Sequence, residues 1–182
     1  LIDPRSYDVA TTAAPTENES RYNYLWRFYQ TFPVKGKMTI YDRSWYGRVL
    51  VERVEGFTPE HRWAAAYEEI NEMEHNLVHD GLLIIKFLIV IDKEEQKQRF
   101  KDRENDPEKN YKLTDEDWRN HEKFEQYEEA MNEMVARTDT KDAPWIIVEG
   151  NQKEYARIKV LKEFISRTRA FIDSHEDNKQ GK

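Results

Sequence analysis

The residues best suited to chemistry are Asp42, the last residue of a short apolar run that begins at Met38, and Arg43, which follows it. The run predicts a strand, and in mononucleotide-binding α/β folds ligands lie beyond the carboxyl ends of parallel strands. Asp42 would therefore emerge where a Mg²⁺-phosphate complex must lie, with Arg43 and Arg48 facing the same anions. The alternative is that Asp42 only caps a helix that begins near Ser44, a common role for aspartate.

The residues around this pair resemble a known family motif. The segment from Asp42 to Phe57 is similar to the second acidic motif of the family-2 polyphosphate kinases, which move phosphoryl groups between inorganic polyphosphate and nucleotides. Further landmarks occur in the family's order: Asp3-Pro4-Arg5, Ala14-Pro15-Thr16, Tyr24-Leu25-Trp26-Arg27-Phe28, Asp106-Pro107 with Lys112-Leu113, Thr138-Asp139-Thr140 and Ala143-Pro144-Trp145. The resemblance extends to about Phe171. An ordered series of this length is hard to reach by chance.

The resemblance implies roles for individual side chains. Asp42 would hold Mg²⁺ or its waters, and Arg43 would contact the transferring phosphate. The nucleotide side would be shaped by Arg48, Glu52 and Arg53, although ordinary ion pairing on a helix surface explains Glu52 and Arg53 equally well. The segment of about 93–115 resembles the family's mobile lid, which would supply further phosphate-binding residues: Arg99, Arg103, Lys109 and Lys112.

The acceptor nucleotide is indicated by Gly47-Arg48-Val49-Leu50. This sequence is closer to the branch of the family that phosphorylates AMP than to the branch with asparagine at the glycine position. AMP is therefore the preferred acceptor and ADP the alternative. Two further readings stay open: an ATP-dependent nucleoside monophosphate kinase similar to thymidylate kinase, and a non-catalytic module for polyphosphate binding or assembly.

Composition favours one compact domain over residues 1–172. The 182 residues carry a net charge of −7 and 38% hydrophobic content, with five Trp, ten Tyr and eight Phe, enough for a single core. No leader pattern occurs, and no apolar run reaches the ~18 residues of a membrane span, so the cytoplasm is the expected location. The negative charge argues against a nucleic-acid binder. Without cysteine, disulfides and thiolate metal sites are excluded.

Periodicity and capping signals predict alternating strands and helices. Strands are predicted at Tyr7–Thr11, Met38–Asp42, Leu82–Ile91 and Pro144–Glu149, and helices at about Thr16–Thr31, from Thr58 to Asp80, from Asp92 to Arg103, from Thr114, and from Asn151 to Ile172. This order predicts an α/β fold, a P-loop kinase-like parallel sheet with helices on both faces. The isoleucine-rich strand is expected to be covered on both faces. Residues 173–182 have almost no apolar content and are predicted to be disordered.

One landmark of the family is missing. No G-x-x-x-x-G-K phosphate loop occurs in the sequence, whereas the family carries it before Asp3-Pro4-Arg5. We therefore interpret the chain as truncated before its first strand and phosphate loop, and expect it to be inactive alone. A lost central strand leaves unpaired backbone groups that cost about 1–3 kcal/mol each. We expect either that residues outside this sequence supply that strand or that the chain compensates by rearranging or by associating with another chain, and a homo-oligomer is expected.

Overall fold

The computed structural model describes residues 3–108, 110–112 and 115–180, and only the backbone of residues 112, 115, 116 and 175–180. Contacts divide the chain into two compact units, Leu1–Ala66 and Tyr67–Lys182. Each unit holds its own pair of parallel strands. The sequence predicted one parallel sheet, and this prediction is wrong: among the described residues, the strands form two separate two-stranded sheets. Apolar runs reveal a strand and its direction, but they do not reveal which strand lies beside it.

In the first unit, β1 (Tyr7–Thr11) and β2 (Met38–Asp42) pair in parallel and have the predicted bounds. Their register places Thr11 beside Asp42, so both strands end at the same edge of the sheet. Just beyond that edge, the backbone N–H of Thr12 donates to the carbonyl of Asp42 at 3.1 Å. The pairing therefore holds the chain firmly up to the turn that follows β2.

The helix predicted from Thr16 to Thr31 is wrong in its extent. Its capping box forms, because the Thr16 N–H donates to the Glu19 carboxylate at 2.7 Å and the Glu19 N–H donates to the Thr16 hydroxyl at 3.2 Å. Only a 3₁₀ turn follows, and helix α1 begins at Trp26 and ends at Tyr29. Between them the Asn23 side chain accepts from the Leu25 N–H at 2.9 Å, an Asx turn that competes with helix.

Short helices also follow β2. A 3₁₀ helix spans Trp45–Arg48 and α2 spans Val51–Val54, after which Gly56 takes a positive φ of 70°. Helix α3 (Glu60–His79) begins and ends where Thr58-Pro59 and Asp80-Gly81 predict. Its inward residues include Tyr67, Ile70 and Met73, which are buried as the helical spacing predicts.

The second unit contains β3 (Lys86–Val90) and β4 (Trp145–Glu149), paired in parallel. The sheet packs through Ile146 and Val148 against Ala156 of the last helix. Strand β3 is shorter than predicted, and Ile89 remains 57% exposed. The expectation that this strand is covered on both faces is therefore wrong for the described chain.

Helices complete the second unit. Helix α4 (Lys93–Glu104) starts at the predicted Asp92 cap. The helix predicted after Thr114 is divided at Lys123 into α5 (Asp115–Glu122) and α6 (Phe124–Thr138). Helix α7 spans Lys153–Gln180. Helix α7 thus passes its predicted end at Ile172 into residues whose composition favours disorder, because extending an existing helix costs little. Within the described residues, none of the helices combines the length and hydropathy that a bilayer span requires.

Candidate active site

The turn after β2 has a strained backbone. Arg43 has φ 63°, and it is the only non-glycine residue with positive φ in the described part of the chain. The left-handed region costs an arginine on the order of 1–3 kcal/mol, because its Cβ crowds the backbone there. The Thr12 hydroxyl donates to the Arg43 carbonyl at 3.0 Å and supports this conformation. Sequence reasoning selected Arg43 by its charge but missed both its strain and the part that Thr12 plays.

An aromatic cluster fixes the chain on both sides of the turn. Trp45 is buried and lies edge-on to Phe28, Phe32 and Tyr41, with ring centroids 5.3 to 6.1 Å apart. The Tyr41 hydroxyl is 2.8 Å from that of Thr31. Burial raises the pKa of Tyr41, an effect that this hydrogen bond opposes. Asp42 and Arg43 therefore lie between two well-packed aromatic residues.

The side chains of Asp42 and Arg43 are exposed at the end of β2. Both residues are exposed, and neither side chain makes a hydrogen bond or ion pair with another described residue. The 3₁₀ helix that follows has Ser44 at its N-cap and no side-chain cap bond. Asp42 therefore does not cap this helix, contrary to the alternative interpretation of its role. A carboxylate and a guanidinium at one strand end are both available to a ligand.

Arg48 and Glu52 lie in the same unit but are engaged with each other. They form an ion pair at 2.7 Å, and the Thr58 hydroxyl accepts from Arg48 and donates to Glu52. The Arg48 guanidinium also lies 4.3 Å from the ring centroid of Tyr24. With 17% and 30% of their side chains exposed, these groups are preorganised by the protein itself. Arg53 lies over the ring of Trp63 at 4.3 Å.

The predicted lid residues belong to the second unit. Arg99 is held tightly: its Nε donates to Glu95 at 2.7 Å, and its Nη2 donates to the Gly150 and Asn151 carbonyls at 2.6 and 3.1 Å. Arg103 contacts the ring of Phe100 at 5.8 Å and makes no ion pair with a described residue. Lys109 lies outside the described residues, as does the side chain of Lys112, which ends a 3₁₀ helix.

A tight junction holds the start of α4 against the end of β4. The Asp92 N–H donates to the Asn151 side chain at 3.1 Å, and the Asn151 amide donates back to the Asp92 carboxylate at 2.5 Å. The N–H of Glu95 and the Asn151 amide lower the pKa of Asp92, because both donate to its ionised form. Next to them, a Cβ on Gly150 would lie 2.9 Å from Ile89, Ile91 and the Val90 carbonyl. Only glycine fits there without displacement.

The second unit also buries an ion pair that the sequence analysis missed. Lys86 and Glu74, 4% and 0% exposed, are joined at 2.8 Å. The Lys86 ammonium also donates to the Thr138 carbonyl at 2.8 Å and lies 4.8 Å from the ring centroid of Trp145. Burial lowers the pKa of Lys86, while Glu74 acts in the opposite direction. The available signal was a single lysine in an apolar run, which requires a buried partner.

Two histidines of α3 also contact each other. His75 and His79 have ring centroids 4.0 Å apart, and the Nδ1 of His75 lies 2.7 Å from the Asp142 carboxylate. The hydrogen bond from His75 lowers the pKa of Asp142. In the part of the chain that the structure describes, no group of three or more histidine, cysteine or acidic side chains is arranged to hold a metal ion.

Comparison with known proteins extends these observations. The polyphosphate kinase 2 family model matches residues 1–176, and the chain belongs to this family. It is 52% identical over 161 residues to a polyphosphate:AMP phosphotransferase of Pseudomonas aeruginosa, covering 88% of this chain and 32% of that protein. It is 36% identical over 165 residues to ADP-polyphosphate phosphotransferase 3 of Rhizobium meliloti, covering 91% of this chain and 58% of that protein.

A solved structure agrees with the family assignment. The crystal structure of a polyphosphate kinase 2 from Pseudomonas aeruginosa superposes with a TM-score of 0.91 at 49% identity, covering 94% of this chain and 37% of that one. The chain therefore spans about a third of the length of these Pseudomonas proteins.

Proposed function

We propose that this chain carries phosphate-binding and catalytic residues of a polyphosphate-dependent nucleotide phosphotransferase whose preferred acceptor is AMP. The observation that carries the proposal is the turn of Asp42 and Arg43. Two exposed opposite charges stand there without a partner among the described residues, and the backbone of Arg43 is held in an unfavourable conformation. Strain of this kind persists where the surrounding structure imposes it, and it clusters at functional sites.

In this proposal, Arg43 binds the oxygens of the transferring phosphoryl group. The transition state of phosphoryl transfer spreads negative charge over these oxygens, so a positioned guanidinium stabilises it. Asp42 fits Mg²⁺, because its carboxylate is exposed and uncommitted and Mg²⁺ is usually held by one or two carboxylates together with substrate phosphates. The bound ion would neutralise charge on the phosphate oxygens.

The remaining arginines have two roles in this proposal: some bind substrate, and others position parts of the protein. Arg48 is committed to Glu52 and Thr58, so we assign both Arg48 and Glu52 to shaping the nucleotide side through their ion pair rather than to supplying a free charge. In α4, the Arg103 guanidinium makes no ion pair with another described residue and is assigned to phosphate binding, whereas Arg99 is committed to two backbone carbonyls and Glu95. Arg99 is thus assigned to anchoring α4. The further substrate-binding residues in this proposal are Arg53, Lys109 and Lys112.

The names and identities of the relatives support AMP as the acceptor. The relative named for AMP is 52% identical to this chain, against 36% for the relative named for ADP. Since binding sites diverge with the rest of a sequence, the nearer relative is the better guide to the acceptor.

Measuring product formation from AMP and from ADP, each with polyphosphate or with ATP as donor, tests the proposal. Because the relatives are longer, the assay uses both the 182-residue chain and a longer polypeptide that contains it. We expect polyphosphate-dependent conversion of AMP in the longer polypeptide. Turnover of ADP alone would reject the acceptor, and turnover with ATP alone would reject the donor.

Asp42→Asn tests the site in the same assay. We expect turnover to fall by about 10³-fold or more, because charge stabilisation supplies most of the catalysis in phosphoryl transfer. The matched control is Asp8→Asn, which removes an exposed carboxylate from the neighbouring strand β1. Equal activity of the two variants would refute the assignment of Asp42. Polyphosphate binding without turnover in any form would favour the non-catalytic module.

A further inference from the structure

One residue of the first unit binds two consecutive carbonyls of the turn after β2. The backbone N–H of Thr12 donates to the carbonyl of Asp42 at 3.1 Å, and its hydroxyl donates to the carbonyl of Arg43 at 3.0 Å. These two carbonyls belong to the peptide groups on either side of the Arg43 Cα. Because a peptide group is planar, a residue has only two soft backbone dihedral angles, φ and ψ. Thr12 therefore restrains both angles of Arg43, whose φ is 63°.

The side chain of Thr12 supplies the part of this restraint that depends on residue type. The N–H bond continues the pairing of β1 with β2, and any residue other than proline could donate it. The hydroxyl bond acts on the carbonyl of Arg43 itself and is lost in a residue without a hydroxyl. The left-handed region is unfavourable for arginine, because its Cβ crowds the following carbonyl oxygen. A hydrogen bond raises the population of the conformation that it favours by about five- to tenfold, which offsets much of that cost.

The segment that carries Thr12 is itself anchored on both sides. Before it, Thr11 is paired with Asp42 in the register of the two strands. After it, the Nη1 of Arg27 in α1 donates to the carbonyl of Ala13 at 3.0 Å. The Nε of Arg27 lies 3.3 Å from the carboxylate of Glu19, in an ion pair whose two side chains are mostly buried. The hydroxyl of Thr12 is therefore presented to the turn from a fixed backbone.

We propose that Thr12 is a positioning residue for phosphoryl transfer, because its hydroxyl holds the backbone of Arg43 and so sets where the guanidinium can reach. The inference rests on the proposed function, in which Arg43 binds the transferring phosphoryl group. A side chain leaves the backbone in a direction that the local conformation sets, so a change of φ at Arg43 to a negative value would redirect the guanidinium. Catalysis by a positioned group falls steeply with small displacements. Thr12 itself makes no contact with substrate in this proposal.

The test compares Thr12→Val, which keeps the branched shape but lacks the hydroxyl, with Thr12→Ser, which keeps the hydroxyl. Both are made in the longer polypeptide and assayed with polyphosphate and AMP. We expect Thr12→Val to lower kcat about fivefold or more and to leave KM for AMP unchanged, because the pair of Arg48 and Glu52 is untouched. Thr12→Ser should retain most of kcat. The control is Thr11→Val, at a residue whose hydroxyl binds none of the described residues. Equal kcat values for Thr12→Val and Thr11→Val would overturn the proposal.

A double-variant cycle shows whether Thr12 acts through Arg43. Arg43→Gly removes the guanidinium that Thr12 is proposed to position. Adding Thr12→Val to Arg43→Gly should therefore change kcat by less than about twofold, because two residues that act through one group are not additive. An equal fold loss from Thr12→Val in both backgrounds would overturn the proposal and would indicate that Thr12 acts on the substrate directly.

Thermal unfolding provides a readout that does not depend on activity. Glycine adopts a positive φ freely, so Arg43→Gly should raise the melting temperature while Thr12 holds position 43 in that conformation. In the Thr12→Val background Arg43 can relax, and the same substitution should raise the melting temperature by less than about half as much. An equal increase in both backgrounds would overturn the proposal. If the unsubstituted polypeptide lacks phosphotransferase activity, the proposed function fails and the catalytic role of Thr12 fails with it, whereas the melting temperatures still decide whether Thr12 holds Arg43.

Discussion

The turn at Asp42 and Arg43 and the buried pair of Glu74 and Lys86 contain the same kinds of groups in opposite settings. At the turn a carboxylate and a guanidinium are exposed, have no partner in the described part of the chain, and lie where the backbone is strained. In the second unit a carboxylate and an ammonium are buried, joined at 2.8 Å and surrounded by further partners. Charges that the protein satisfies itself serve its stability, whereas charges that it leaves unsatisfied are available to a ligand. Substitutions in the two places should therefore affect different properties.

The largest effect is expected from Arg43→Gly. Glycine adopts a φ of 63° freely, so we expect the free energy of unfolding to rise by about 1 kcal/mol. The lost guanidinium should lower turnover by about 10³-fold or more. Thermal unfolding and the phosphotransferase assay measure the two properties separately. The matched control is Arg43→Lys, which keeps both the charge and the backbone strain. A lower free energy of unfolding for Arg43→Gly would show that the strain does not act as proposed.

A large loss of stability is expected from Glu74→Gln. Removing one partner of a buried ion pair leaves the other charge uncompensated, which costs about 3–5 kcal/mol. Chemical denaturation measures this free energy. The double variant Glu74→Leu with Lys86→Met should recover much of the loss, because it removes both charges together. A double variant no more stable than Glu74→Gln would show that the pair itself is not the cause.

A smaller loss of stability is expected from Gly150→Ala. The added Cβ would meet Ile89, Ile91 and the Val90 carbonyl at 2.9 Å, and overpacking of this kind costs about 1–3 kcal/mol. The control is Gly47→Ala, where the added Cβ would meet a Val51 methyl group at an ordinary 3.8 Å. Thermal unfolding compares them, and equal melting temperatures would contradict the close approach of Gly150 to the end of β3.

The smallest effect is expected from Asp92→Asn, and it depends on pH. Hydrogen bonds from Glu95 and Asn151 hold the pKa of Asp92 below its ordinary value of 3.8. A carboxylate with a lowered folded-state pKa stabilises the protein above the unfolded value, and that stability is lost as pH falls through the folded pKa. The variant should therefore melt a few degrees lower at pH 7, and the difference should shrink as the pH falls below 3.8. A difference that does not change with pH would assign the effect to packing.

Much of the local structure could be predicted from the sequence. Strands β1 and β2 have their predicted bounds, the Asp92 cap begins α4, and the Asp80-Gly81 stop ends α3 as expected. These signals are local, since each depends on a few neighbouring residues. The family was predicted correctly from ordered motifs, and residues 1–176 match its model.

Long-range features could not be predicted in the same way. The pairing of Lys86 with Glu74, twelve residues earlier, and the anchoring of Arg99 on Gly150 and Asn151 depend on which elements meet in three dimensions. The resemblance assigned both Arg99 and Arg103 to phosphate binding but did not reveal that Arg99 is already committed. The conformation of Arg43 was likewise hidden, because an arginine gives no sign of a left-handed backbone.

The burial of Trp45 beside the turn has a practical consequence. Its indole lies edge-on to Phe28, Phe32 and Tyr41, only three positions after Asp42. Indole emission depends on the polarity and the neighbouring rings around it, so a rearrangement of the turn on anion binding would change the fluorescence of this residue. With the other four of the five tryptophans replaced by phenylalanine, the molecule would contain its own optical reporter, and occupancy of the turn could be followed in real time without an added dye.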